Sequence, residues 1–72
     1  MKKTAVLEYN MTTDRYEIEG VALHAGYPVD VIRDDGSVFQ TSIEHDDQGW
    51  YLVKWSDRNI GGLIVDPSTV IL

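Results

Sequence analysis

The chain has 72 residues, 43% of them hydrophobic and 25% charged, with twelve Asp and Glu against six Lys and Arg for a net charge of -6. That length allows one domain over residues 1–72 with a barely sufficient core, and the apolar content is that of a globular chain. Cysteine is absent, which excludes a disulfide framework and thiolate metal sites; the acidic balance excludes sequence-independent binding to a phosphate backbone, and no apolar run reaches the roughly 20 residues of a membrane span.

In chain order, the basic start at Lys2 and Lys3 meets Glu8 after only Ala5, Val6 and Leu7. No signal-peptide core is formed, so a cytoplasmic location is expected. Asn10-Met11-Thr12 matches a glycosylation acceptor, which carries no meaning without secretion. Tyr16 and Ile18 alternate with charged residues, as do Val29 and Val31 around Asp30, and Phe39, Thr41 and Ile43 alternate with polar neighbours. A period of two predicts half-buried strands. Asp34-Asp35-Gly36-Ser37 and Asp46-Asp47-Gln48-Gly49 supply tight hairpin turns, giving a meander from Val29 to Trp55. Trp50-Tyr51-Leu52-Val53 is apolar on both faces, which predicts a strand covered twice or one that leaves Trp50 and Leu52 exposed. Ser56 to Gly62 reads as a polar connection, Leu63-Ile64-Val65 as a strand, and Pro67-Ser68-Thr69 as a turn into a last apolar strand, Val70-Ile71-Leu72. No window carries a helical stripe.

Five to six short antiparallel strands in so short a chain are expected to curl into a small closed barrel, because an open sheet would expose a face and two edges. The fold class predicted is all-β. Ala5-Val6-Leu7-Glu8-Tyr9 resembles the opening of SH3 domains, Leu23 to Ile32 resembles their diverging turn and second strand, and Gly62-Leu63-Ile64 with Pro67-Ser68 is similar to their ending. This resemblance implies an SH3-like barrel. The stretch between Ile32 and Trp50 is longer than theirs, and Thr69 stands where they carry an aromatic. Tyr9-Asn10, Arg15-Tyr16, Leu23-His24 with Gly26, Ile43-Glu44, Trp50 to Val53 and Gly62-Leu63 with Val65 also resemble a family of small bacterial domains of unknown function, often carried on mobile elements. That family tends to have Cys at Ala25 and Arg at Ser42. The second resemblance implies a mobile-element accessory protein and no reaction.

Catalytic and metal signatures are missing. His45-Asp46-Asp47, with His24, is the best metal candidate, but no ligand spacing fixes a geometry, so no metal or other cofactor is expected. The paired carboxylates flank turn glycines open to water, where nothing raises a carboxyl pKa for acid catalysis. Ser37, Ser42, Ser56 and Ser68 lack a nucleophile elbow, and Gly61-Gly62 precedes no helix and no Lys-Ser or Lys-Thr. A non-enzymatic protein is expected.

Seven aromatics are too many for one small barrel to hide. Trp50, Tyr51, Tyr9 and Tyr27 are the candidate partner-binding residues, forming an exposed platform of the kind that reads a proline-rich segment. The competing arrangement places Tyr9, Phe39 and Tyr51 or Trp50 in the core, with Trp55 capping a barrel end. A second functional reading starts from charge. Between Asp30 and Asp47 lie six acids and one base, Arg33, so a patch of Asp34, Asp35, Asp46 and Asp47 could imitate nucleic acid and inhibit an enzyme that binds it. Both readings imply a protein partner and neither implies direct contact with nucleic acid or membrane.

Overall fold

In the computed structural model, which describes residues 3–69, the first reversal is built by Asn10. Its side-chain oxygen accepts the N–H of Thr12 at 2.9 Å, and Asp14 completes the turn at φ 55, a left-handed conformation that Asp tolerates better than most residues with a Cβ. The turn joins β1 (Ala5–Asn10) to β2 (Arg15–Ile18), with Leu7 opposite Ile18 and Tyr9 opposite Tyr16. β3 (Val21–Ala22) pairs with β2. β4 (Pro28–Ile32), β5 (Val38–Asp46) and β6 (Gly49–Leu52) form the expected meander through the two Asp-rich turns. β7 (Ile64–Val65) then runs between β1 and β4, and a 3-10 turn follows over Pro67–Thr69.

All pairings are antiparallel, in the order β3-β2-β1-β7-β4-β5-β6. The architecture is all-β, as the alternation predicts. The seven strands among the described residues exceed the five to six expected because β3, at two residues, is too short for a period to be read. The strand expected at Val70-Ile71-Leu72 lies outside the described residues. No ladder joins the end strands β3 and β6, yet the strip curls. Gly26 N–H donates to the Ile43 carbonyl at 2.7 Å and Ile43 N–H to the Tyr27 carbonyl at 2.9 Å, docking the segment after β3 onto β5.

Nine aliphatic side chains fill the interior: Leu7, Ile18, Leu23, Val29, Val31, Ile43, Leu52, Ile60 and Val65. Each is at most 1% exposed. The arrangement with Tyr9, Phe39, Tyr51 or Trp50 in the core is therefore corrected, since close-packed aliphatics leave the rings no interior volume. Phe39 and Trp55, 5.3 Å apart between centroids, pack against the outside of that cluster. β6 also departs from expectation. It is an end strand, neither covered twice nor shedding Leu52, which is buried, while Trp50 is half-buried. The connection from Ser56 to Gly62 is not wholly polar in role, because Ile60 drops fully into the core.

Candidate functional site around Trp50

Trp50 stands opposite His45 in the β5–β6 ladder, and the His45 ring meets the indole edge-on with centroids 4.7 Å apart. The indole Nε1–H donates to the backbone carbonyl of Asp14 at 2.9 Å. This bond links β6 to the turn between β1 and β2, thirty-six residues away in the chain. Asp14 is engaged twice, because its carboxylate also accepts the hydroxyl of Tyr9. The left-handed backbone at Asp14 aims carbonyl and carboxylate at two different rings.

Tyr9 and Tyr16 form a cross-strand ring pair 5.1 Å apart. The hydrogen bond to the Asp14 carboxylate holds the Tyr9 hydroxyl above its ordinary pKa, because the neutral phenol is the donor. Partial burial pushes Tyr16 in the same direction. On the other flank of Trp50, the Arg15 guanidinium lies 6.0 Å from the indole centroid and donates to the Leu23 carbonyl at 3.2 Å. Its contact to His24 Nδ1 is 3.3 Å.

Two shallow concavities therefore flank Trp50. One is bordered by Tyr9, Tyr16, Gly49 and Arg58, the other by Arg15, His24, Ala25 and His45. Rings, cations and histidines converge here on an open surface.

Of the aromatics singled out in the sequence, Tyr9 and Trp50 meet through Asp14. Tyr27 lines neither concavity; its ring meets His24, which lines the second, edge-on at 5.3 Å. Tyr51 does not join them. Successive strand residues point to opposite faces, and Tyr51 instead lies beneath the Arg58 guanidinium, 4.7 Å from its ring centroid. The acids separate as well. Asp34 and Asp35 sit before β5 and Asp46 and Asp47 at its far end, and a nine-residue strand holds them about 27 Å apart. Asp46 is also ion-paired with Arg58 at 2.6 Å, which holds its carboxyl below the usual range. A hydrogen bond from the Ser37 hydroxyl does the same for Asp35. The four acids form two tips and no single patch.

Among the described residues, no group of three or more His, Asp or Glu is arranged to hold a metal ion, and no helix is long and apolar enough to cross a membrane. His45 faces Trp50 while Asp46 faces Arg58. Sequence reasoning missed Asp14, Arg15, Tyr16 and Arg58 as parts of this surface. Recognising Asn10 as a turn former would have placed Tyr16 opposite Tyr9 and Asp14 between them. Nothing in the sequence brings Arg58 to Asp46.

The chain is similar to a protein from Ruminococcus gnavus whose crystal structure was determined by a structural genomics consortium. The two share 32% identity with a TM-score of 0.77, over 89% of this chain and 99% of the other. No curated protein matches it. The model of a domain of unknown function, DUF5348, matches residues 5–66, and the chain belongs to that family.

Proposed function

We propose that this chain is a non-enzymatic protein-binding module, an SH3-like barrel that acts in the cytoplasm as an accessory protein of a mobile element. The reading rests on one observation above the others: among the described residues the buried hydrophobic cluster holds nine aliphatic side chains and no ring, while Trp50 is fixed on the surface by its bond to the Asp14 carbonyl. A ring held in one orientation loses little side-chain entropy on binding, and such rings concentrate binding energy at interfaces. Tyr9 and Tyr16 extend the platform on one side, and Arg15 and His24 supply polar rim contacts on the other. The tying of β3's following segment to β5, and of β6 to the first turn, supports the barrel. The partner is a protein segment that buries the Trp50 ring, with no cofactor and no direct contact to nucleic acid.

Affinity capture from source-cell lysate, washed at rising salt, tests the proposal. The expected result is a salt-tolerant partner retained by the wild type, lost by Tyr9→Ala and by Trp50→Ala, with both variants shown folded by circular dichroism. Asp34, Asp35, Asp46 and Asp47 changed together to Asn should leave capture nearly intact. A partner lost with the four acids and kept without the rings would overturn the aromatic reading in favour of an acidic mimic.

A further inference from the structure

β5 belongs to two ladders in succession. Its first half pairs with β4 and its second half with β6. The two neighbours lie on opposite sides, as the bonded pairs show. Arg33 N–H donates to the Ser37 carbonyl at 2.8 Å and Ile43 N–H to the Tyr27 carbonyl at 2.9 Å. Bonded and wide pairs alternate in an antiparallel ladder. Phe39 and Thr41 therefore exchange bonds with β4, whereas Val38 and Gln40 occupy wide pairs and turn their N–H and C=O groups away from it. The Asp30 carbonyl confirms the phase, since it accepts the Asp66 N–H at 2.9 Å on the other side of β4.

β6 would have covered Val38 and Gln40 had it continued. It stops instead: Val53 N–H still donates to the Ser42 carbonyl at 3.1 Å, the Thr41 hydroxyl donates to the Val53 carbonyl at 2.7 Å, and Lys54 turns off at φ 63. An open groove lies across β4 and β5 next to the uncovered edge, reaching from Pro28 and Asp30 past Gln40 to Val53 and Lys54. Val38 is 36% exposed. Among the described residues no strand pairs with this side of Val38–Gln40. Free strand edges are templates for another strand.

We propose that a second copy of this chain docks on this edge, β5 against β5, around a two-fold axis through Phe39. With Phe39 opposite Phe39 of the second copy, Val38 falls opposite Gln40 and Gln40 opposite Val38. Each of these is a narrow pair that exchanges both of its N–H···O=C bonds, so the outward groups of both chains are satisfied in one self-complementary register. The wide pair at the axis brings the two Phe39 rings together. Charge complementarity supports the same occupant. The pairing directs the turn carrying Asp34 and Asp35 of each chain towards the place where β6 leaves the other, and Lys54 stands exposed there. The surface is distinct from that around Trp50, so it stands or falls independently.

Sedimentation velocity of the full chain from micromolar to millimolar concentration, with amide exchange followed by NMR, tests this. The sedimentation coefficient should rise with concentration. The Val38 and Gln40 amides should exchange freely when dilute and slow as the dimer forms, while the Phe39 amide, bonded to β4, stays protected throughout. Gln40→Pro removes an N–H that β4 does not use and should lower association at least about tenfold. Lys54→Glu should weaken association, and adding Asp34→Lys should restore it. A chain monomeric at every concentration, a dimer indifferent to these changes, or unchanged exchange at Val38 and Gln40 overturns the proposal. The exchange measurement needs no variant, so it decides even where Gln40→Pro does not fold.

Discussion

The interior and the Trp50 surface divide the apolar residues by shape. Among the described residues, the nine core side chains at most 1% exposed are all branched aliphatics, and every one of the seven rings is at least partly exposed. Burial of a Leu or Ile stabilises the fold without regard to direction, whereas the rings of Tyr9 and Trp50 are held by directed contacts to Asp14, Arg15 and His45, and Tyr16 packs against Tyr9. Stability and surface recognition are thus assigned to separate residue types. Substitutions in the two regions should be separable in kind as well as in size.

The largest effect is expected inside. Leu52→Ala or Ile60→Ala should cost about 2–5 kcal/mol in urea unfolding, through lost burial plus a cavity. Ile60 sharpens the contrast, because it lies in an irregular connection and still should behave as core. If Ile60→Ala costs no more than a surface change, the interior does not extend into that connection.

On the rim, Trp50→Phe keeps a ring but removes the Nε1–H donor to Asp14. The expected loss is about 1 kcal/mol, the typical net worth of one hydrogen bond. A loss as large as that of Leu52→Ala would erase the division between the two regions.

The acidic tips should respond to pH alone. Asp35 and Asp46 have folded-state pKa values held below the ordinary value by the Ser37 and Arg58 hydrogen bonds. Their contribution is present above the unfolded carboxylate range near about pH 4 and is lost as pH falls through the folded values. Unfolding midpoints should therefore fall below about pH 4, less steeply in Asp46→Asn. Equal slopes in the two proteins would mean that the Arg58 pair is not formed in solution.

The smallest effect is spectroscopic. Asp14→Asn should move the alkaline titration of Tyr9 down towards its ordinary value while Tyr16, raised by burial, stays in place. The sign follows from linkage. A phenol whose pKa is raised on folding adds stability below its unfolded pKa, near about 10, and loses it as pH climbs through the folded value. An ultraviolet pH titration of the two proteins checks it; an unmoved Tyr9 would remove Asp14 as its acceptor.

Much of the β structure was legible because alternation at Val29–Ile32 and Phe39–Ile43 has one physical cause, a sheet with one buried face. The Asp-Gly of the β4–β5 turn and the Gly49 end of the β5–β6 turn were legible for an equally local reason, their need for positive φ. The site was less so. Trp50 and Tyr9 stood out as rings, but their meeting depends on the four-residue turn between Asn10 and Arg15 and on a contact from residue 14 to residue 50. Tyr51 looked equivalent to Trp50 and is not, because register decides which of two neighbours faces inward. The Arg58 to Asp46 pair comes from a loop path that no pattern encodes.

The position of β7 has a kinetic consequence. β1–β2 and β4–β5–β6 are each closed by short reversals and can form early, but β7, only two residues long, is the seam between them through Ala5–Val65 and Val31–Val65. Its partners are far apart in sequence, so the loop-closure entropy falls due before the seam returns any contact. Joining of the two halves should therefore be the slow event in folding. On the ribosome, the Trp50–Asp14 bond is available to the halves before strand pairing between them, which waits until Val65 has emerged.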